Sequence, residues 1–396
     1  MTFGALSALF WLASGITAAP ALLFSCEVAL AALPGRTRRK PPSARPIPIA
    51  VLIPAHNESS GIGPTVSHIK GQLRATDRLI VVADNCTDDT AARAREAGAE
   101  VLVRTDAEKR GKGYALSFGA QALSHEPPEI VLIVDADCRV QRGSLERLAN
   151  LAYVENRPTQ AIYLMNRPAG SSPISGISAF AFLVRNKVRP LGLKRLGLPC
   201  LLTGTGMAFP WSIYRDAPPT HDFLVEDLLL GHELALKGTP PLLDEETVVV
   251  SELPSGEAAS FKQRRRWEHG QLSVLRTITP RLLSAGLRRG NLGLIALALD
   301  GLVPPLALLV FLQLGMTSIL WLGVPLGMPS GPAWLASGAL SLMGLCVLWA
   351  WGRHGRGLLP PRDLLFIPKY ILWKVPLYRT FARSGAHSEW ERTERP

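Results

Sequence analysis

The strongest constraint on this chain is the uneven placement of its apolar residues: nearly unbroken runs at both ends enclose a middle of ordinary charged composition. Residues 5–33 form one such run, broken mainly by Glu27. At about 1.5 Å rise per residue, it is long enough for roughly 30 Å of hydrocarbon. No basic segment precedes it, which argues against a secretory signal. Arg36, Arg38, Arg39, Lys40 and Arg45 follow at once, and the positive-inside rule then puts the next segment in the cytoplasm. Near the other end, residues 292–326 are apolar except for Asp300 and Gln313, and 333–352 form a further run. The block 292–326 reads either as one span with an interfacial lead-in or as two short spans hinged at Pro304-Pro305. One span keeps the basic tail inside and is preferred, making three in all. Residues 363–382 mix apolar clusters with Lys369, Lys374, Arg379 and aromatic rings, the pattern of an amphipathic helix in the interface with snorkelling lysines. Residues 383–396 form a tail.

The expectation is therefore a multi-pass protein of the inner (plasma) membrane with a cytoplasmic domain at 46–280. The formal net charge of +11 is explained by that topology and by anionic lipid, without nucleic acid. Five scattered cysteines, with no C-x-x-C pair, suit a reducing compartment.

Within 46–280, β-branched runs at 49–53, 79–82, 100–103, 130–134 and 161–165 alternate with segments of helix length. This rhythm predicts an α/β domain with a mostly parallel central sheet covered on both faces. Ligands of such sheets sit at the carboxyl ends of the strands. There the chain carries Pro54-Ala55-His56-Asn57-Glu58, then Asp84-Asn85-Cys86-Thr87-Asp88-Asp89-Thr90, then Asp135-Ala136-Asp137. An acidic rim in a basic protein accepts an anionic ligand only if a cation stands between them. Asp135 and Asp137 can approach one hard ion, completed by phosphate oxygens, although two such aspartates alone are more often turn formers. Thr87, Asp88 and Asp89 read mostly as a helix cap, whereas Asp84 precedes it and can accept hydrogen bonds from a ligand. Glu226-Asp227 opens a helical segment; Glu226 suits a cap, and Asp227 could act as a general base. In Gln263-Arg264-Arg265-Arg266-Trp267, helical spacing puts Gln263, Arg266 and Trp267 on one face, with Arg264 and Arg265 turned elsewhere.

Together with Lys109-Arg110-Gly111-Lys112-Gly113, and in this order, these elements make the chain resemble the membrane-embedded family 2 glycosyltransferases, the superfamily of cellulose, hyaluronan and poly-N-acetylglucosamine synthases. The resemblance covers most of the chain and implies a GT-A-type nucleotide-sugar-binding domain. It implies that Pro54, Asn57, Glu58 and Asp84 contact the nucleoside of a UDP-sugar and that Lys112 and Asp135 help to hold it. Asp137, with Asp135, would bind Mg2+ or Mn2+, and Gln263 and Arg266 would steady the diphosphate. Asp227 would deprotonate the acceptor hydroxyl for an inverting transfer, while Trp267, Gly204, Thr205 and Glu226 would meet the acceptor. Asn85-Cys86 replaces the Gly-Ser of many relatives, a change of turn more than of chemistry. The Gln-x-x-Arg-Trp element points to exopolysaccharide synthesis, with a homo-oligomer or an export subunit as possible partner. The small number of spans points instead to a single-sugar transferase acting on a lipid or lipid-linked acceptor. Polymer synthesis is the preferred reading. A non-catalytic membrane scaffold is a remote rival, disfavoured by the intact Asp137 and Asp227. No G-x-G-x-x-G follows the first strand and no P-loop is present, which sets aside dehydrogenases and P-loop enzymes.

Overall fold

The computed structural model describes residues 3–35, 46–168, 170–217, 225–254 and 256–384. The basic cluster 36–45, residues 218–224 and those beyond 384 lie outside the described residues.

Eight strands form one sheet: β1 (Ile49–Ala55), β2 (Arg78–Asp84), β3 (Glu100–Arg104), β4 (Ile130–Ile133), β5 (Arg139–Val140), β6 (Thr159–Asn166), β7 (Met207–Pro210) and β8 (Leu242–Glu252), in the order β3-β2-β1-β4-β7-β6-β8-β5. Strands β1 to β4 pair in parallel. Their runs are apolar on both faces because both faces are covered. Val51, Ile53, Val81 and Leu132 pack on Ile62, Val66, Ile69 and Leu148, while Leu52, Ile80, Val82 and Ile133 pack on Ala115, Leu116 and Leu123. The far half departs from the expected parallel pattern: β7 runs antiparallel to both β4 and β6, and β5 antiparallel to β8. The sheet is thus mixed, and the reversal at β7 brings the turn Gly204-Thr205-Gly206 beside the end of β4, where the Gly206 N–H donates to the Ile133 carbonyl at 2.9 Å.

Among the described residues, three helices are long and apolar enough to cross a membrane: Gly4–Ala31, Leu306–Leu326 and Gly331–Gly355. The block 292–326 breaks at Val303-Pro304-Pro305 into Leu292–Leu302 and Leu306–Gly323. Gln313, a polar residue of the second piece, donates to the Ala336 carbonyl at 2.9 Å and so binds the two C-terminal apolar helices. The helix Pro173–Leu183 of the sheet domain is apolar and packs among these helices, with Ile177 and Phe180 beside Phe24, Leu309, Met343 and Cys346.

The junction is held by charge. Glu27 and Asp300 do not sit at an interface as isolated acids; both are bound by buried Arg189. Its Nε donates to Glu27 at 2.5 Å, and its Nη2 pairs with the Asp300 carboxylate and donates to the Asp300 carbonyl at 3.0 Å. Gly192, one helical turn on, lies where any side chain would strike the Glu27 carbonyl, so it admits the close approach of the two helices. At the C-terminal end, Ile367–Ser384 leaves Leu372, Lys369 and Arg379 exposed, but Lys374 does not snorkel. It is buried in an ion pair with Glu268, because this helix lies against Glu257–Thr277, where His269 also bonds the Leu377 carbonyl at 3.0 Å.

Removing Arg189 would leave two buried carboxylates unpaired, a loss of about 3–5 kcal/mol. Arg189→Met should therefore lower the melting temperature in detergent sharply, and adding Glu27→Gln and Asp300→Asn to it should recover most of the loss. A melting temperature unchanged by Arg189→Met would show that the triad does not hold the junction.

Candidate active site

The carboxyl ends of β1 and β2 are stitched together by short polar side chains. Asn57 and Asn85 both adopt left-handed backbone, with φ of 54° and 51°, which asparagine tolerates better than most residues. The Asn57 side chain accepts from the Thr87 N–H at 2.7 Å and donates to the Thr87 hydroxyl at 3.2 Å. Asn57, expected at the nucleotide, therefore also locks two loops. Thr87 in turn is a loop tie and not the helix cap. Capping falls to Asp88, whose carboxylate accepts from the N–H of Thr90 at 3.0 Å and that of Ser59 at 3.2 Å. Burial opposes its charge, but the hydrogen bonds from Thr90 and Ser59 hold its pKa below the ordinary value. The Glu58 N–H donates to the Thr90 hydroxyl at 2.7 Å, and Pro54 stays in the strand opposite Val82.

Asp84 is buried and ion-paired with Arg104 at 2.6 Å. The parallel register puts these two residues directly opposite each other on β2 and β3, so each closes its own strand. Arg104 also holds Asp106 at 3.0 Å and lies over the Tyr114 ring. Sequence reasoning did not select Arg104; its signal was a lone cation ending the third strand beside an acid ending the second.

At the end of β4, three segments meet. Lys112 opens the helix Lys112–Leu123, and its Nζ donates to Asp135 at 2.5 Å and to the Gly204 carbonyl at 2.7 Å. Gly204 has φ +87°, and a Cβ there would lie 3.2 Å from the Asp227 carboxylate. Asp227, Lys112 and Asp135 are thus gathered around one backbone turn. Thr205 differs from expectation. It is fully buried, and its hydroxyl accepts from the Asp135 N–H at 3.0 Å, so it sets the aspartate's position and does not face an acceptor.

The ligand atoms of Asp135, Asp137 and Cys138 all lie within 4.8 Å of one another. Burial, followed by the charges of Asp137 and Asp135, pushes the Cys138 thiol well above its usual pKa. A neutral buried thiol is a poor ligand for a hard cation, whereas two carboxylates are good ones, so the donor set fits Mg2+ or Mn2+ held through Asp135 and Asp137.

Glu226 and Asp227 begin the helix Glu226–Leu236. Burial, reinforced by the neighbouring Asp227 charge, pushes Glu226 up to about 7. Burial also raises Asp227, against the pull of Lys112. For Lys112 burial opposes the charge, but Asp135 and Glu226 outweigh it and stabilise the ammonium. Both acids line a cavity of about 400 Å³, with Gly113, Met207, Trp211 and Tyr214 among its walls.

The helix Glu257–Thr277 carries the Gln-x-x-Arg-Trp residues to this place. Half-buried Arg266 lies near enough for its charge to favour the ionised form of Glu226. Trp267 packs on Phe182 with ring centroids 5.6 Å apart. Gln263 is only 2% exposed, and its Oε1 meets no donor among the described residues, so it is withdrawn from the cleft where diphosphate contact was expected.

Known proteins share this framework. A mannosyltransferase from Pyrobaculum calidifontis, solved with GDP-Man and Mn2+, superposes with a TM-score of 0.57 over 93% of this chain and 99% of its own, at 18% identity, a likeness of fold. A 4,4'-diaponeurosporenoate glycosyltransferase of Staphylococcus aureus strain RF122 is 31% identical over 142 residues, 35% of this chain and 37% of that relative. The enzyme of that name from strain MRSA252 is 35% identical over 104 residues, 26% of this chain and 27% of its own. The matches thus span well under half of these curated relatives. Residues 46–270, more than half of the sequence, match the family model "Glycosyltransferase like family 2", and the chain belongs to that family of glycosyltransferases.

Proposed function

We propose that this protein transfers a single sugar from a UDP-sugar to a hydroxyl of a lipophilic acceptor held in the plasma membrane, with inversion, and that the catalytic domain faces the cytoplasm. The observation that carries this reading is the position of Trp267. The helix that brings Arg266 to Glu226 also turns Trp267 into a cavity shared with Phe24, Pro304, Pro305 and Leu306 of the membrane-side segments. An acceptor dissolved in the bilayer would reach the catalytic carboxylates past that ring. Acceptors of this kind are in keeping with relatives named for 4,4'-diaponeurosporenoate. Polymer synthesis, which the sequence favours, becomes the second reading, supported by the Gln-x-x-Arg-Trp element itself.

The chemistry follows from the groups present. Asp227 would accept the proton of the acceptor hydroxyl as its oxygen attacks the anomeric carbon. The bond to the nucleoside diphosphate breaks on the opposite side, and the leaving oxygen keeps the electron pair. Asp135 and Asp137 would hold Mg2+ or Mn2+, which when bound neutralises charge on the leaving diphosphate. Arg266 would supply a second positive group there. Lys112 keeps Asp135 and the Gly204 turn in place beneath the donor. Asp84, with Pro54 and Glu58 on the neighbouring loop, would meet the uracil.

Asp227→Asn should lower kcat by about 10²- to 10⁴-fold, the usual worth of a general base, with donor affinity within about twofold of wild type by titration calorimetry. Retained turnover would remove Asp227 from the base role. Because burial raises the pKa of both Asp227 and Glu226, the latter to about 7, the base is protonated in acid. Turnover should accordingly rise with pH from the acid side, with a midpoint above that of an ordinary aspartate.

Asp137→Ala should abolish the effect of Mn2+ on UDP binding, and unchanged metal-dependent affinity would contradict the ligand assignment. Purified protein in native lipid, given a panel of UDP- and GDP-sugars, should release UDP from one UDP-sugar and yield a product carrying one sugar by mass spectrometry. A ladder of lengths would establish polymer synthesis instead.

A further inference from the structure

The proposed function leaves one charged group unused. Arg264 is 5% exposed, and neither of its terminal nitrogens meets an acceptor among the described residues. Its guanidinium lies 5.2 Å over the Trp373 ring, a contact that engages the flat face and leaves the N–H groups in the plane unmatched. A buried cation with unmatched donors is costly, and such a group calls for a partner.

The partner's position is defined by the cavity that Arg264 lines. It is narrow, about 80 Å³, and lies where the catalytic domain meets the membrane-side helices. Phe24, Pro304, Pro305, Leu306 and Phe182 make it apolar, and Arg264, Arg185, Glu268 and Lys374 give it charge. Arg185 stands in a five-residue π-helical turn, Val184–Val188, a backbone irregularity frequent at functional sites. These cations differ in their partners. Lys374 is matched by Glu268, and Arg189 is matched, with one acid to spare, by Glu27 and Asp300. Asp227 is the largest charge acting on Arg185, which leaves Arg264 as the cation of the group whose terminal nitrogens meet no acceptor among the described residues.

The helix Glu257–Thr277 divides this cavity from the catalytic cleft. At about 100° per residue, Arg264, Glu268 and Gln271 share one face, all lining the cavity. Arg266 and Gly270 turn the other way, Gly270 backing onto Val225 beside Glu226. Trp267 stands on the border. We propose, resting on the lipid-acceptor reading above, that this cavity is an anchoring subsite for the acceptor, and that the acceptor is a long-chain acid whose carboxylate is held by Arg264. One planar guanidinium fork matches one carboxylate. The volume is ample for a carboxyl group. The apolar chain extends along Phe24 and Pro304–Leu306, and the hydroxyl to be glycosylated lies on the cleft side of Trp267. Arg264 is in this sense a specificity residue that touches the acceptor away from the reacting atoms.

The test measures binding without turnover, so it is independent of whether sugar transfer is observed. Full-length protein in a non-ionic detergent is titrated at pH 8 with 9,10-dibromostearate, whose bromines quench tryptophan fluorescence, and with its uncharged methyl ester. Wild type should bind the acid at least tenfold more tightly than the ester. Arg264→Gln should abolish that preference, and Arg264→Lys should restore part of it, while both variants keep UDP affinity. Equal binding of acid and ester by wild type overturns the proposal, and that measurement stands even if Arg264→Gln fails to fold. A tenfold preference retained by Arg264→Gln overturns it too. Phosphatidylglycerol with dibromostearoyl chains binding as tightly as the acid, and losing affinity equally in Arg264→Gln, would identify a site for anionic membrane lipid in place of the acid. If the acid preference holds and no UDP-sugar is turned over, it is the transferase reading that fails, and the anion site remains.

Discussion

The site depends on keeping carboxylates together that would otherwise repel one another. A parallel half-sheet delivers its strand ends to one edge, and here those ends carry Asp84, Asp135 and Asp137, with Glu226 and Asp227 arriving from a helix start. Two cations make the gathering stable. Arg104 pairs with Asp84 across the β2–β3 register, and Lys112 spans Asp135 and the Gly204 carbonyl. Without them, the desolvation that raises Glu226 and Asp227 would act on every acid of the rim. With them, the acids sort by role: Asp84 and Asp135 are each paired with a fixed cation, while the pair at the helix start is left readier to take a proton.

The same logic governs the junction with the apolar helices. Arg189 joins an acid of the N-terminal helix to one of the helix Leu292–Leu302, so three segments far apart in sequence are fixed by one guanidinium. Lys374 does the equivalent for the C-terminal helix by binding Glu268, one residue beyond Trp267. The helix that positions Arg266 and Trp267 is thereby clamped between the sheet domain and the membrane-side helices. That coupling sets Trp267 between the sheet domain and the apolar helices.

Legibility in the sequence followed locality. Strands β1 to β4 were readable because both of their faces are covered, which demands continuous apolar runs. Strand β8 was not, since Asp244, Glu245 and Glu246 interrupt it. Asp244 is buried only because Arg147 meets it at 2.8 Å, a partner 97 residues away. Strand β7 is four residues ending in proline and belongs to the sheet solely through its antiparallel neighbours. The same division holds for side chains. Asp135, Asp137 and Asp227 were marked by their place at element ends, whereas the work of Asn57, Thr205 and Gln263 as loop tie, backbone acceptor and buried amide depends on contacts across the fold.

By itself, then, the sequence determined the apolar helices, the alternating α/β domain between them and the acids at the carboxyl ends of its strands, because periodicity and strand-end chemistry are local properties. The tertiary structure alone decided the reversal of β7, the pairing of Asp84 with Arg104, the capture of Glu27 and Asp300 by Arg189, and the enclosure of Arg264 in an apolar cavity. Each of these joins residues distant along the chain, and the energy of a buried charge is set by what surrounds it in space, which the order of residues does not specify.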